Sequence, residues 1–596
     1  MKQRNKGQSL FSGAMVLLIS TVIVHLIGIL YKIPLTALVG TVGRGYFNAA
    51  YEIYTPIYAI SMAGLPVAVS RMVSERMATG RYREVRVIFK IVKKLFLLTG
   101  FVGTAILLLI AYPYTHLDIF INSPNAMPSI IAIAPSVFCC CLMSTYRGYY
   151  EGMRNMKPTG ISQVIEAVGK LIFGLVFARI VMTIGENQFS AGKAVFGTIV
   201  KSEQEAYSAI YPYTAAAAIL GVTAGTVCAL LFVMIRHKVL GDGITKEHLV
   251  NSPRPAPSKD LAKMLISIAI PVVASSLILN ITNIIDTWTI QNRLVDAIEN
   301  NLPYIKDMYS SALTQSQVLD VDIKNYLYGA YGAALDFKNL LPTITMTLGV
   351  SSIPALSAAW AIKDKNKIFR TVDSVIRASL LIALPTGICM AILAKPILTL
   401  MYIGTRAESS IDITAYIVTV YGFAAAVMAL STPITNMLQA IGRADVPVKS
   451  LAIGAVVKIV SNYILVGNPR FNINGAPIGT ILCYVVIVFS NLFFLIKETK
   501  IKLNIKSVLI KPLFCSILCG LAAWSSYGLL NMAFDFGNAS GRMNGSTLAL
   551  LISAIISVLV YFISLFLVNA ISKYDILMLP KGEKIAKVLE KYNLMG

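Results

Sequence analysis

The chain has 596 residues, of which 56% are hydrophobic and 14% charged, with a mean hydropathy of +0.70 and a formal net charge of +23. Soluble domains carry about 25% charged residues, so the composition excludes a soluble enzyme and points to an integral membrane protein. Many apolar stretches exceed the ~20 residues a membrane helix needs, whereas a closed β-barrel would show short alternating segments. The expected fold class is therefore an all-α polytopic membrane protein.

The basic start MKQRNKGQS leads into an apolar run from Leu10 to Val39, far longer than a signal-peptide core, and reads as the first membrane helix. Fourteen spans are predicted, over residues 10–39, 46–70, 88–112, 127–150, 159–184, 207–235, 262–290, 326–361, 368–394, 412–440, 447–466, 475–496, 508–533 and 546–570. With span-end residues counted in the adjoining loop, 36 Lys and Arg lie in the N-tail, every second loop and the C-tail. The seven intervening loops hold 10, and six lie within spans: Lys32, Lys170, Arg179, Lys338, Arg377 and Lys458. This bias places both termini in the cytoplasm. It makes the basicity a matter of topology, and no nucleic-acid partner is expected. All eight cysteines fall in predicted spans and are expected as free thiols. Cys139, Cys140 and Cys141 have no histidine at ligand spacing, so neither a metal nor a cofactor is expected.

Two stretches share a signature: RNMKPTGISQVIEAVGK (154–170) and RADVPVKSLAIGAVVK (443–458). Arg154 and Arg443 are 289 apart, as are Pro158 and Pro447; Lys170 and Lys458 are 288 apart, as are Pro66 and Pro354. These matches predict an internal duplication. Six spans separate equivalent helices, so the copies run the same way through the bilayer, a layout of secondary transporters with a cavity between two lobes. The expected domains are an N-lobe (1–259, spans 1–6), a C-lobe (260–500, spans 7–12), a helix pair (501–572, spans 13 and 14) and a cytoplasmic amphipathic tail (573–596). In that tail Ile585, Val588, Leu589 and Tyr592 recur at helical spacing, as in an interfacial anchor.

Lys170 and Lys458 lie roughly 17 Å into the bilayer at 1.5 Å rise per residue from Pro158 and Pro447. A charge there costs about 2.5–3.5 kcal/mol. Glu166 lies four residues before Lys170 on the same helix face and can pair with it; the equivalent of Glu166 in the second copy is Gly454. Glu166, Lys170 and Lys458 are read as intramembrane braces, with a role in a solute pathway as the alternative. Prolines fall inside many spans (Pro34, Pro56, Pro66, Pro135, Pro271, Pro342, Pro354, Pro385 and Pro433), and kinked, hinge-bearing helices are expected there.

Buried ionisable groups mark functional candidates in a membrane protein. His25 and Lys32 lie in span 1, Glu52 in span 2, Asn283 and Asp286 in span 7, Asp336 and Lys338 in span 8, and Arg377 in span 9. Spans 1, 2, 7 and 8 are pseudo-equivalent and are expected to face the central axis, and their seven residues with Arg377 are the eight substrate-cavity candidates. They suit either a switching salt-bridge network or an anion site, since a dehydrated diphosphate needs cations held at its oxygens. For Lys32, snorkelling to the outer interface is the competing reading. Two outer segments, 185–206 and 291–325, are long, and the second is expected to form a short helix or cap. Asp320 and Asp322 are its close acidic pair, with no obvious basic or histidine partner.

The segments GYFNAAYEIYTPIYAISMAGLPVAVSRMVSERMATGR (45–81), LDFKNLLPTITMTLGVSSIPALSAAWAIKDK (335–365), LQAIGRADVPVKSLAIGAVVKIVSNYILVGNPRFNINGAPIGT (438–480) and MLPKG (578–582), in this order, resemble the multidrug/oligosaccharidyl-lipid/polysaccharide (MOP) exporter superfamily. Within it the chain is similar to the Gram-positive polysaccharide-transporter branch, which includes stage V sporulation protein B and the MurJ-type lipid II flippases. The resemblance implies a bacterial plasma-membrane protein with a basic cavity between two lobes and a groove for a lipid tail by spans 13 and 14; a monomer is expected. It implies a flippase that moves an undecaprenyl-diphosphate-linked saccharide outward, driven by a coupling ion or the membrane potential. Gram-negative MurJ proteins carry arginines in the first two helices and span 8; here those regions offer His25, Lys32, Arg71 and Lys338, so the cavity's location is carried over and a phosphate clamp is not. A multidrug cation antiporter of the same superfamily is the nearest rival. It is disfavoured by the lack of a carboxylate in span 1 and kept open by Glu52. A polytopic lipid-linked-sugar enzyme is disfavoured because the first outer loop, GTVGRG, has no carboxylate.

Overall fold

A computed structural model of the chain describes residues 10–62, 65–117, 123–533 and 545–570. The predicted tail helix lies outside the described residues, as do some side chains within helices, those of Asn283 and Asp286 among them. Apart from one isolated bridge between Val195 and Thr198, the regular structure among the described residues is helical. The chain divides into two compact units, one of residues 1–292 with 317–329 and the other of residues 293–316 with 330–596.

The first unit opens with α1 (Leu10–Met62), which runs through both of the first two predicted spans. The expected loop GTVGRG between them is helical instead. The break is a single residue, Gly40, whose φ of 68° and ψ of 177° a side chain would resist. Next come α2 (Leu65–Ala78), α3 (Tyr82–His116), α4 (Met127–Gly152), α5 (Lys157–Ser190) and α6 (Glu203–Leu240). Pro66 and Pro158 are each the second residue of their helices, where the missing N–H has no partner to lose. The Ser202 side chain caps α6 by accepting from the Glu205 N–H, with Glu203 and Glu205 in the first turn and His237 and Lys238 in the last. Both ends therefore suit the helix dipole. A short helix, α7 (Lys246–Val250), precedes α8 (Ser258–Asn300).

Glycines set the closest approach in this unit. A Cβ on Gly221 of α6 would lie 2.1 Å from the Gly174 backbone nitrogen of α5, and one on Gly169 would lie 2.7 Å from the Gly225 Cα. Without a hydrophobic drive in lipid, such backbone contact is how membrane helices hold together.

In the second unit the short helices α9 (Leu302–Met308) and α10 (Ser310–Gln315) form within the long 291–325 segment. Then follow α11 (Ile323–Lys338), whose first turns belong to the first unit, α12 (Leu340–Ala361), α13 (Lys365–Ile392) and α14 (Ala394–Tyr402). The remaining helices are α15 (Ile411–Phe423), α16 (Ala425–Ala440), α17 (Asp445–Val466), α18 (Gly475–Thr499), α19 (Lys511–Ala533) and α20 (Gly545–Leu567). Leu356, Val372, Leu380, Met437 and Val488 belong to one of its apolar cores. Helix α17, the predicted copy of α5, packs on α18, with Gly454 against Ile487 and Gly479 against Asn462.

Ten helices among the described residues are long and apolar enough to cross a membrane, or eleven counting α15–α16, which bend by 53° at Ala424. That count takes the Gly40-broken α1 as one span, while α8 and α11–α12 run over the seventh and eighth predicted spans. Among the described residues, helical geometry is interrupted at Gly40, Asn339 and Ala424. Pro66 and Pro342 correct the hinge expectation, because each lies in the first turn of a helix, where no bond is lost.

Candidate functional site

Pro158 starts α5, and two and three turns later its charged residues meet other helices. The Glu166 carboxylate accepts from Arg147 Nη2 of α4 at 2.9 Å, and Arg147 Nε donates to Ser162 Oγ at 2.9 Å. Lys170 Nζ donates to the Tyr51 hydroxyl of α1 at 2.7 Å. It also lies 5.1 Å from the Tyr31 ring centroid and 4.8 Å from that of Tyr51. Glu166 and Lys170, four residues apart on α5, thus each reach a different helix. The rings add quadrupole attraction to an ammonium held in apolar surroundings.

Tyr31 in turn donates to the Ala218 carbonyl of α6 at 3.2 Å. Along α1 the rings of Phe47 and Tyr51 stack at 4.8 Å and those of Tyr54 and Tyr58 at 5.4 Å, an aromatic column one helix face wide. Arg44 stands at its head, 2% exposed, with its guanidinium 5.4 Å from the Phe47 ring and donating to the Thr36 hydroxyl at 3.4 Å. The first unit therefore carries a run of Arg44, Lys170, Glu166 and Arg147 inside its helices.

His25 is exposed, its Nδ1 2.7 Å from the Thr21 carbonyl one turn back. Lys32 and Glu52 are half-buried on α1. In the second unit Asp336 and Lys338 are half-buried in the last turns of α11, with Lys338 Nζ 5.9 Å from the Tyr421 ring. Lys458 is half-buried on α17. Arg377 is buried on α13, where it pairs with Asp373 at 2.7 Å and donates to Ser507 at 3.0 Å and Ser374 at 3.4 Å.

Three features escaped the sequence reading. Arg44 and Arg147 were counted as loop and span-end charges, and only packing reveals that they are interior. Glu84, 2% exposed, gathers Arg76 at 2.6 Å, Arg81 at 3.3 Å and the Ala256 N–H at 3.2 Å, fastening the segment before α8 to the α2–α3 turn. Asp322 does have partners, the hydroxyls of Tyr46 and Ser208. A weak signal existed for Arg147: 289 residues on stands Asn436, so the pair Arg147–Glu166 becomes the neutral Asn436–Gly454 in the second copy.

Long apolar helices with charge buried along them define a polytopic membrane transporter. A family model described as polysaccharide biosynthesis protein matches residues 10–360, and the chain belongs to that family and, with it, to the MOP exporters. A second model, described as lipid II flippase MurJ, matches residues 328–539. The lipid II flippase MurJ of Bacillus subtilis (strain 168) is 24% identical over 80% of this chain and 81% of its own length. Stage V sporulation protein B of the same organism is 22% identical over 96% and 98%. Among solved structures, a lipid II flippase MurJ in an inward closed conformation is similar with a TM-score of 0.55 and 14% identity, covering 92% of this chain and 98% of that one. An inward-facing multidrug resistance MATE family transporter gives 0.52 and 13%, covering 78% and 94%. These two likenesses establish the fold.

Proposed function

We propose that this protein is a flippase that moves an undecaprenyl-diphosphate-linked saccharide, lipid II or a related envelope precursor, across a bacterial plasma membrane by alternating access. In this reading both termini are cytoplasmic and transport runs from the inner to the outer leaflet. What carries it is kinship over most of the chain with a relative that is a lipid II flippase. The physics is compatible: a polyprenyl tail stays in hydrocarbon throughout, while a sugar diphosphate needs a polar, cationic path.

Within that reading the described geometry supports two groups of residues. Glu166 and Lys170 act as braces, because each already ties α5 to another helix. Arg377 joins them, removed from the cavity set by its own buried ion pair and serine contacts. Lys458 is proposed as a brace by its repeat equivalence to Lys170. The pathway group is Lys32, Glu52, Asp336 and Lys338, half-buried in or beside apolar helices, with Asn283 and Asp286 kept by their place on α8. His25 is the weakest member, exposed and bonded to its own helix.

The test is expression in cells depleted of their own lipid II flippase, with lipid II access at the outer face as the readout. Wild type restores exposure. Lys338→Ala reduces it about tenfold or more at equal membrane insertion, the worth of one charged hydrogen bond. An inserted wild-type protein that exposes no lipid II overturns the lipid II assignment and directs the search to other lipid-linked glycans or to cation export.

A further inference from the structure

Residues 317–329 follow α10 in the chain yet pack in the first unit. This strap holds a 3-10 turn at Asp320–Asp322 and the first turns of α11. Its seat on α1 is glycine-tight: a Cβ on Gly329 would lie 1.9 Å from the Thr41 carbonyl oxygen, and one on Gly45 would lie 2.2 Å from the Asn325 carbonyl oxygen. Ser123 donates to the Asn325 side chain at 3.1 Å.

At the centre of this clasp Asp322 is 2% exposed. One of its oxygens accepts from the Tyr46 hydroxyl of α1 at 2.6 Å, and the other accepts from the Ser208 hydroxyl of α6. Asn125 in turn donates to the Tyr46 oxygen at 3.3 Å. Among the described residues, two neutral hydroxyls are the hydrogen-bond donors to the Asp322 carboxylate. The titratable group facing it from α1 is Tyr46, α6 faces it with Ser208, and Asp320 and Lys324 flank it on the strap. A buried carboxylate is ordinarily matched by a cation, because losing water costs an ion far more than a neutral acid. Here the match is to groups that serve an acid as well as an anion: a hydroxyl donates to a carboxylate, and on rotation accepts from a carboxylic acid.

We propose that Asp322 is a proton-exchange site, which keeps its proton to higher pH while the strap is closed on α1 and α6 and gives it up when the strap lifts and water reaches the carboxyl. The O–H bond of the acid breaks, the proton passes to water, and the carboxylate is left hydrated. Burial pushes the Asp322 carboxyl above the ordinary Asp range, against the two hydroxyl donors that lower it. The sign follows. A group whose value is raised in the closed state adds to closure fully below the ordinary Asp range of about 3.9, and loses that contribution as pH rises through its own midpoint. If the chain is the flippase proposed above, this site gives it a proton to couple; the chemistry itself does not depend on that reading.

The experiment uses the full-length protein in lipid nanodiscs, followed by infrared spectroscopy across pH, with no substrate and no transport assay. A carboxylic-acid C=O band is expected with a midpoint above the ordinary Asp range, absent in Asp322→Asn. Tyr46→Phe and Ser208→Ala each keep the band and raise its midpoint by about one pH unit, the equivalent of one hydrogen bond. Hydrogen exchange of the strap amides, corrected for intrinsic rates, speeds up above the midpoint in wild type and stays slow in Asp322→Asn. A wild-type spectrum with no band lost in Asp322→Asn, or a midpoint unmoved by both hydroxyl variants, overturns the proposal. Strap exchange indifferent to pH overturns the link to closure. Should Asp322→Asn fail to fold, the two hydroxyl variants decide alone.

Discussion

The Glu166 carboxylate and the Arg147 guanidinium show how this chain carries charge in an apolar setting. Their side chains are 29% and 12% exposed, and each is the other's ion-pair partner. Removing one leaves an uncompensated buried charge, so Arg147→Ala or Glu166→Ala is expected to cost about 3 kcal/mol. Replacing both by apolar residues, Arg147→Met with Glu166→Leu, recovers most of that, because neither charge then lacks its mate. Thermal unfolding in detergent reads the cycle, and a double variant as unstable as the sum of the singles would contradict it. The second copy already holds the neutral version, Asn436 and Gly454. Lys170 could be singled out in the sequence because it interrupts an apolar run. Arg147 could not, because an arginine near a span end looks like any topology-setting charge.

At the scale of helices, glycine placement separates close contact from open surface. A side chain on Gly221 meets the Gly174 backbone, whereas one on Gly28 meets nothing within 4 Å. Gly221→Ala is therefore expected to destabilise the α5–α6 pair and lower the melting temperature of the detergent-solubilised protein. Gly28→Ala, in a helical stretch with open space around it, gains up to about 1 kcal/mol of helix propensity. Equal effects of the two would sink this account of the contact. The sequence showed where helices lie, since length and hydropathy are local. It did not mark the interruptions at Gly40, Asn339 and Ala424, and two of the prolines it singled out, Pro66 and Pro342, lie in first turns. A proline in the first turn of a helix takes no backbone hydrogen bond away.

For the molecule as a whole, the sharpest consequence of the reading is its orientation. Ile199, 84% exposed in the turn between α5 and α6, is expected to face outward, and Thr79 after α2 to face the cytoplasm. In an otherwise cysteine-free version, Ile199→Cys should react with a membrane-impermeant maleimide in intact cells, and Thr79→Cys only after lysis. The reverse pattern would invert the orientation and with it the proposed direction of transport. This expectation rests on the charge bias between alternate loops, which a sequence displays completely because translocation acts on the chain before it folds.

The sequence alone determined that this is a polytopic helical membrane protein, and it displayed the repeat, the basic bias and the lysines of α5 and α17. Each is a property of composition or spacing along one dimension, and each survives whatever the helices later touch. Only the tertiary structure decided which charges are matched and by what. It turned GTVGRG from a loop into helix with a buried arginine, sent Glu166 to Arg147 and Lys170 to tyrosine rings, and returned residues 317–329 to the first unit so that Asp322 meets Tyr46. Partners 276 residues apart, as Tyr46 and Asp322 are, leave no periodic trace. Their meeting is set by burial and backbone geometry across several helices at once.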